Sequence, residues 1–489
     1  TIGGQTYTTV LDAAGNWSVG VPASVISGLS DGTVNVTASV TDAAGNTGTG
    51  SHNVTVDTGL PSVSFNAISD DNVLNAVEKG QDLSVSGTSA NLAEGTVVAV
   101  TLNGKNYTAT TAADGTWSLT VPAADLAGLG QANYTLNATA TNGVGNSVSN
   151  TANLLVDTAL PTVTINTVAG DNVINAAEVA AGQTLSGKVA NAEAGNTVTV
   201  TIGGNTYTAT VQSDLTWSVN VPSDVLTALG NGSLSVTATV TNGHGNTGTG
   251  ERDITIDANL PGLRVDTVAG DDVINSIEHG QNLIVTGSSD GLTAGTTLTV
   301  TVNGKTYPAT VLADGTWRAA IPAADVGALA AGTVTVTVAG QSSAGNPVSI
   351  SHDVTVDLAT VAISINAIAT DDVINAAEKG ADLVLSGSTS NVEENQTVTV
   401  TFGGKTYTAK VDADGNWTAT VPSADLAGLK DGDASVQVSV TNAHGNSASA
   451  GREYSVDATA PTVTIDTVAG DNVINGSEAA AGVAISGTT

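Results

Sequence analysis

Oxygen-bearing side chains return at fixed positions along this sequence. Asp57, Asp157, Asp257, Asp357 and Asp457 each close a run in which apolar residues alternate with Thr, Ser and Asn. Asp71, Asp171, Asp271, Asp371 and Asp471 each open an acidic stretch, with Glu78, Glu178, Glu278, Glu378 and Glu478 seven residues on. Asn75 and Asn175 lie inside that stretch, and Asp272 and Asp372 double the acid in two of its copies. A third set sits in turns: Asp114, Asp214, Asp314 and Asp414, then Asn142, Asn242 and Asn442. Carboxylates, amides and turn carbonyls gathered in one place repel one another unless a cation sits among them. Ca²⁺ suits such a set because it takes six to eight oxygens in loose geometry; Zn²⁺ asks for His or Cys, and Mg²⁺ for a tighter octahedron. The pattern also has a purely structural explanation, in which Asp71 and Asn75 cap turns and Glu78 is solvated.

What must position these groups is legible from the step between them. Each series advances by 100 residues, as do Trp17, Trp117, Trp217, Trp317 and Trp417. That period is too long for one turn of a solenoid and matches an independent domain. Four complete units are expected at 59–158, 159–258, 259–358 and 359–458, flanked by the later part of a unit at 1–58 and the first part of another at 459–489. In 59–158 the alternation predicts seven strands: 62–68, 82–87, 96–102, 106–111, 117–121, 133–141 and 147–156. The turn Asn103-Gly104 is a strong hairpin signal, because both residues tolerate positive φ. Seven short strands at this spacing predict an all-β fold, an Ig-like β-sandwich repeated in tandem. If successive strands alternate in direction, the acidic stretch and the closing Asp lie at the bottom of a unit, and the turns at Asp114 and Asn142 at its top. Head-to-tail stacking then brings Asp171, Glu178 and Asp257 against Asp314 and the turn 342–346, so acid converges at each joint. Domains of roughly 35–45 Å, set by strands of about ten residues, would place four units on the order of 150 Å end to end as a monomeric rod.

Composition removes several classes of function. Acidic residues number 45 against 12 basic, a net charge of −33, which repels nucleic acid and anionic membranes. Hydrophobic residues still make up 40%, enough for folded strands. Aromatics are only 3%, so each core is expected to be thin and centred on one Trp. There is no Cys, hence no disulfide or thiol chemistry, which in an extracellular setting points to a bacterial source. There is no Met, no signal peptide and no apolar run of membrane-spanning length, so the chain reads as an internal segment of something longer.

No Ser-His-Asp or paired-carboxylate constellation stands out, and five copies of one scaffold do not suggest an enzyme; catalysis is not expected. Gly143-Val144-Gly145 joins strand to strand and is no phosphate loop. His52 and His352 share one repeat position and His244 and His444 another, without a second metal-binding type at ligand spacing, and are read as surface residues. Two departures mark unequal joints: Ser342 stands where other units have Asn142, Asn242 and Asn442, and Val361 stands where others have Pro. Weaker calcium binding is expected at the turn 342–346, and a less rigid link at 357–361.

The pieces 167–178, Ala413-Asp414-Gly415-Asn416-Trp417, Thr41-Asp42-Ala43-Ala44-Gly45-Asn46 and Val456-Asp457-Ala458-Thr459-Ala460-Pro461 resemble the bacterial Ig-like repeats of giant, type I secreted RTX-type adhesins, biofilm-associated ones among them. The resemblance covers the whole chain. It implies an extender at the bacterial cell surface, stiffened by Ca²⁺ at domain junctions, holding a distal binding region away from the cell. By the resemblance the closing Asp and the acidic-stretch residues above are the calcium ligands, each repeat partners its neighbours, and a host or abiotic surface is met by regions outside this segment. The alternative is that the repeats are themselves adhesive, binding glycans or repeats on other cells; that role calls for exposed aromatic patches, and spare aromatics are few.

Overall fold

Val, Leu and Ile alternate with Thr and Ser in nearly every strand, so one face of each is apolar and must be covered by a second sheet. The computed structural model describes residues 1–489. It divides into two compact units, Thr1–Ile174 with Glu178–Asp257, and Asn175–Ala177 with Ala258–Thr489.

In the first unit, residues 59–158 show how the pattern is used. The strands are β1 Ser62–Phe65, β2 Val73–Leu74, β3 Leu83–Ala90, β4 Val97–Leu102, β5 Lys105–Thr110, β6 Thr116–Val121, β7 Ala132–Thr141 and β8 Ser147–Val156. A three-stranded sheet runs β1-β3-β6, and a five-stranded sheet runs β2-β8-β7-β4-β5. All neighbours are antiparallel except β2 and β8, where Leu74 lies beside Val156 in parallel register. The sandwich, the strand directions and the Asn103-Gly104 hairpin are those expected; Asn103 and Gly104 have φ of 48° and 78°.

The acidic stretch departs from the expected loop. The first strand stops at Phe65, because Ser69 and Asp70 turn the chain with φ of 50° and 64°. The chain then forms β2 and a 3-10 turn, Glu78–Gly80. A two-residue strand is too short to leave an alternation in sequence, which is why the pattern predicts seven strands where eight are present.

The facing sheets bury Leu74, Val85, Val98, Val100, Leu136 and Leu154 around Trp117, which is 2% exposed. Phe65 meets the Trp117 ring edge-on at 5.4 Å. Opposite the indole is Gly87, where a Cβ would lie 1.8 Å from the Ser64 carbonyl oxygen and 2.5 Å from the ring; Gly187, Gly287 and Gly387 repeat this close approach. Residues 159–258 of the first unit repeat both sheets.

The second unit holds the same pair of sheets twice, in 259–358 and 359–458, each around its own core with Trp317 and Trp417 at 1% exposure. Val361 is buried in the second of these cores, at the place Pro161 and Pro261 occupy in theirs. Residues 1–58 contribute one hairpin, Gly32–Thr41 with Thr47–Val56, and there Trp17 is 52% exposed. No helix is long and apolar enough to cross a membrane.

Candidate functional site

The acidic stretch is ordered by its own side chains. Asp71 Oδ1 accepts from the Val73 amide at 2.8 Å, and Asp171, Asp271, Asp371 and Asp471 do the same to the residue two places on. The Asn75 amide donates to Glu78 Oε2 at 3.0 Å while Asn75 Oδ1 accepts from the Glu78 amide at 3.0 Å. This reciprocal pair is a capping box, found again at Asn275 with Glu278, at Asn375 with Glu378 and at Asn475 with Glu478. Asp272 accepts from His352 Nε2 at 2.7 Å, and Asp372 holds Arg452 through two bonds of 2.7 and 2.6 Å. The Arg452 guanidinium pulls the Asp372 carboxyl down to about 2. Asp114, Asp214 and Asp314 each cap their own turn through the amide and hydroxyl of the Thr two places on, which holds their carboxyls below the usual range. In the fourth copy Asp412 caps instead, accepting from the amides of Asp414 and Asn416.

The linker aspartates lie beside the turns that follow them by about 85 residues. Asp157 Oδ1 accepts from the Ala159 amide at 3.1 Å, and its Oδ2 meets His244 Nδ1 at 2.6 Å. The imidazole lowers the Asp157 carboxyl. Asn242 Oδ1 holds the amides of His244 and Asn246, and its Nδ2 donates to the Asn191 carbonyl at 3.2 Å. Asp357, His444 and Asn442 reproduce the arrangement, with Nδ2 of Asn442 also 3.4 Å from Asp357 Oδ2. Asp57 Oδ1 accepts from the Gly59 amide, and Asn142 Oδ1 from the Val144 and Asn146 amides. The residues after Asp457 are tied to Asp431, which accepts from the Ala458 amide.

Within the first unit, between the repeats 59–158 and 159–258, the linker opens into a cleft of ≈ 390 Å³. Asp157, Glu193, Asn191, Asn242 and Gln131 line it. Its donors are oxygens of carboxylates, amides and main chain, a set that fits a hard cation such as Ca²⁺ and offers no thiolate. Nowhere in the chain do three His, Asp or Glu side chains converge closely enough to hold an ion by themselves, so an ion there would need carbonyl, amide or water ligands as well. Asp71 and Glu78 are not among the cleft residues.

Glu193 lies outside the recurring acidic series. Its Oε2 accepts from the Gly243 amide at 3.1 Å, and Glu393 accepts from Ala443 at 2.8 Å. Ala93 and Thr293 stand at the corresponding positions, so a search for residues common to all repeats passes over it.

Asn246 was also outside the expected ligand set, and its amide joins two repeats. Its Oδ1 accepts from the Ala76 amide at 2.8 Å, and its Nδ2 donates to the Asp157 carbonyl at 2.9 Å. Asn346 Oδ1 accepts from the Ala176 amide at 2.7 Å, and Asn446 Oδ1 from the Ser276 amide at 2.8 Å, each across 170 residues. In each case the acidic stretch and the later turn meet through an Asn side-chain amide and main chain.

Residues 1–58 match the bacterial Ig-like domain family. The 100-residue step carries that segment through the rest of the sequence, and the sheets recur with it. The chain is a tandem array of bacterial Ig-like repeats. Over 82% of its length it is 34% identical to the whole of a solved segment of a Ca²⁺-stabilised adhesin with which an Antarctic bacterium binds ice, at a TM-score of 0.35. A solved part of a 1.5-MDa bacterial ice-binding adhesin is 30% identical over 62% of this chain and all of its own, with the same TM-score. A tetra-tandem repeat from the extending region of a large adhesion protein is 28% identical over 82% of this chain and all of its own, at 0.34. No curated protein matches the chain.

Proposed function

We propose that these repeats are an extender of a large bacterial surface adhesin, and that Ca²⁺ at the joints stiffens it. The observation that carries the reading is the recurrence of one bond: residues 76 and 276 each donate their amide to an Asn side chain 170 residues on, so a joint inside each compact unit is built the same way. A chain of near-equal domains with like joints and no deep enclosed cavity suits a spacer, and leaves adhesion to regions outside it. The ice-binding relative is described as calcium-stabilised; here the cation is assigned to the oxygen-lined cleft of Asp157, Glu193 and Asn242, and to Asp357, Glu393 and Asn442 at the corresponding place. The acidic-stretch residues are assigned a supporting part, holding the loop against the next turn and adding negative potential. The net charge of −33 makes neighbouring domains repel one another, a repulsion that bound cations lessen. The setting of such a chain is the bacterial cell surface or the medium outside it, and no catalytic role is assigned.

Calorimetric titration of the whole chain with CaCl₂ tests the calcium assignment. Sites of extracellular modules typically bind at about 10⁻⁴–10⁻³ M, and binding of that strength should release or absorb heat and raise the melting temperature. A flat titration with an unchanged melting temperature would contradict it.

A further inference from the structure

We infer that Asn246, within the first unit, and Asn446, within the second, are clasps that hold neighbouring repeats together without a metal ion. Each side chain is almost completely buried, at 1% and 2% exposure, although Asn is ordinarily a surface residue. A buried primary amide is tolerated only where its donor and acceptor are both used. In Asn246 they are used toward two different segments. Oδ1 faces the Ala76 amide of the preceding repeat's acidic stretch, and Nδ2 faces the Asp157 carbonyl of the linker. The residue's own backbone is fixed at the same time: its N–H donates to Asn242 Oδ1 at 2.9 Å and its carbonyl accepts from the Asn242 amide at 2.9 Å. Asn446 shows a related pattern, with Nδ2 donating to the Asp357 carbonyl at 3.1 Å and also to Asp357 Oδ2 at 3.2 Å, and Oδ1 also accepting from Ser276 Oγ at 2.5 Å. Asn146, whose Nδ2 donates to the Asp57 carbonyl at 3.0 Å, is only half-buried. The burial at the later positions thus comes with contact to an acidic stretch.

The capping box supplies the other half of the clasp. By fixing Asn75 and Glu78 to each other it presents the Ala76 N–H outward, where no residue of its own turn accepts it. Gly245 fits the same arrangement: its φ is 81°, and a Cβ there would lie 3.0 Å from Asn75 Nδ2. No carboxylate takes part in the bonds of the Asn246 amide, so removing a cation leaves them in place. The inference borrows its purpose from the extender reading, and its test is independent of calcium.

Hydrogen exchange of the whole chain in excess EDTA tests it, read at the amides of Ala76 and Ser276. Both should remain protected in the wild type. Asn246→Ala should speed exchange at Ala76 on the order of tenfold, the loss of one buried hydrogen bond, and leave Ser276 unchanged. The Ser276 amide separates a local clasp from general destabilisation, and exchange across 216–221 monitors the fold of the mutated repeat. Rapid exchange at Ala76 in wild-type protein under EDTA, or unaltered protection in Asn246→Ala, would overturn the inference. Neither result depends on whether calcium binds, which the titration above decides separately.

Discussion

The turns 242–246 and 342–346 have the same backbone and different chemistry. In both, the first residue's amide bonds the carbonyl of the Asn four places on, and the Gly amide bonds back to the first residue's carbonyl. In the first, Asn242 holds two amides and donates to Asn191, while His244 reaches Asp157. In the second, Ser342 offers only its Oγ, which accepts from Asn346 at 3.2 Å, and Ala344 is buried where His244 is half-exposed. Glu193 has Thr293 as its counterpart. Yet Asn246 and Asn346 both accept an amide from an acidic stretch. The comparison separates two layers: a neutral Asn contact common to both turns, and a charged surround that differs between them.

The most severe way to break the comparison is to remove the core under one turn only. Trp217→Ala should cost about 3–5 kcal/mol, as loss of a buried aromatic does, and should release the turn 242–246 while 342–346 keeps its protection in hydrogen exchange. Equal loosening of both turns would mean that the repeats do not fold as separate cores. A finer change converts one surround into the other. Ser342→Asn combined with Thr293→Glu supplies the amide donor and the carboxylate that the second turn lacks, and should strengthen calcium binding there on the order of tenfold, seen as loss of the weakest class of sites in calorimetry. An unchanged isotherm would remove Glu193 and Asn242 from the ligand set.

The smallest expected effect uses a difference elsewhere in the same repeats. Asp125 accepts from Lys105 Nζ at 2.5 Å and Tyr107 Oη at 2.9 Å, and the Lys105 bond is the main cause of its lowered carboxyl pKa. Burial of Tyr107 and that same carboxylate push the phenol up to about 12. Asp325 and Asp425 repeat the contact, whereas 159–258 has Asn205 and Val225 at those places. A depressed folded pKa adds stability above the unfolded value of 3.8 that is lost as pH falls. As pH falls below the ordinary carboxylate value of 3.8, the helical turns Ala123–Leu126, Ala323–Val326 and Ser423–Leu426 should loosen before Ser223–Leu229 does. The pair is surface-exposed, so the difference is modest. Simultaneous loosening would deny it a role.

The period of 100 residues and the alternation within it made the tandem sandwich readable, because each strand must bury one face and the turns carry Gly and Asn where φ is positive. Strand direction placed the acidic stretch beside the next repeat's turn, and Asn246 with Ala76 bears that contact. Two things were not readable. The strand Val73–Leu74 is recognised by pairing with Leu155 and Val156, not by any local pattern. Asp71 and Glu78 hold their own loop, and the acidic series says nothing of Glu193 or of the neutral Asn246, whose contacts appear only in the fold. Recurrence marks what every repeat needs for its shape; Glu193 occurs in only some of them, and Asn246 is a neutral side chain among acids.

Small-angle scattering of the whole chain, first in millimolar CaCl₂ and then in excess EDTA, tests the central claim directly. A calcium-stiffened extender should give a large, sharply defined maximum dimension with the ion and a shorter, broader distribution without it. Superimposable profiles would show that calcium does not stiffen these joints, and that whatever rigidity they have comes from contacts such as the Asn246 clasp.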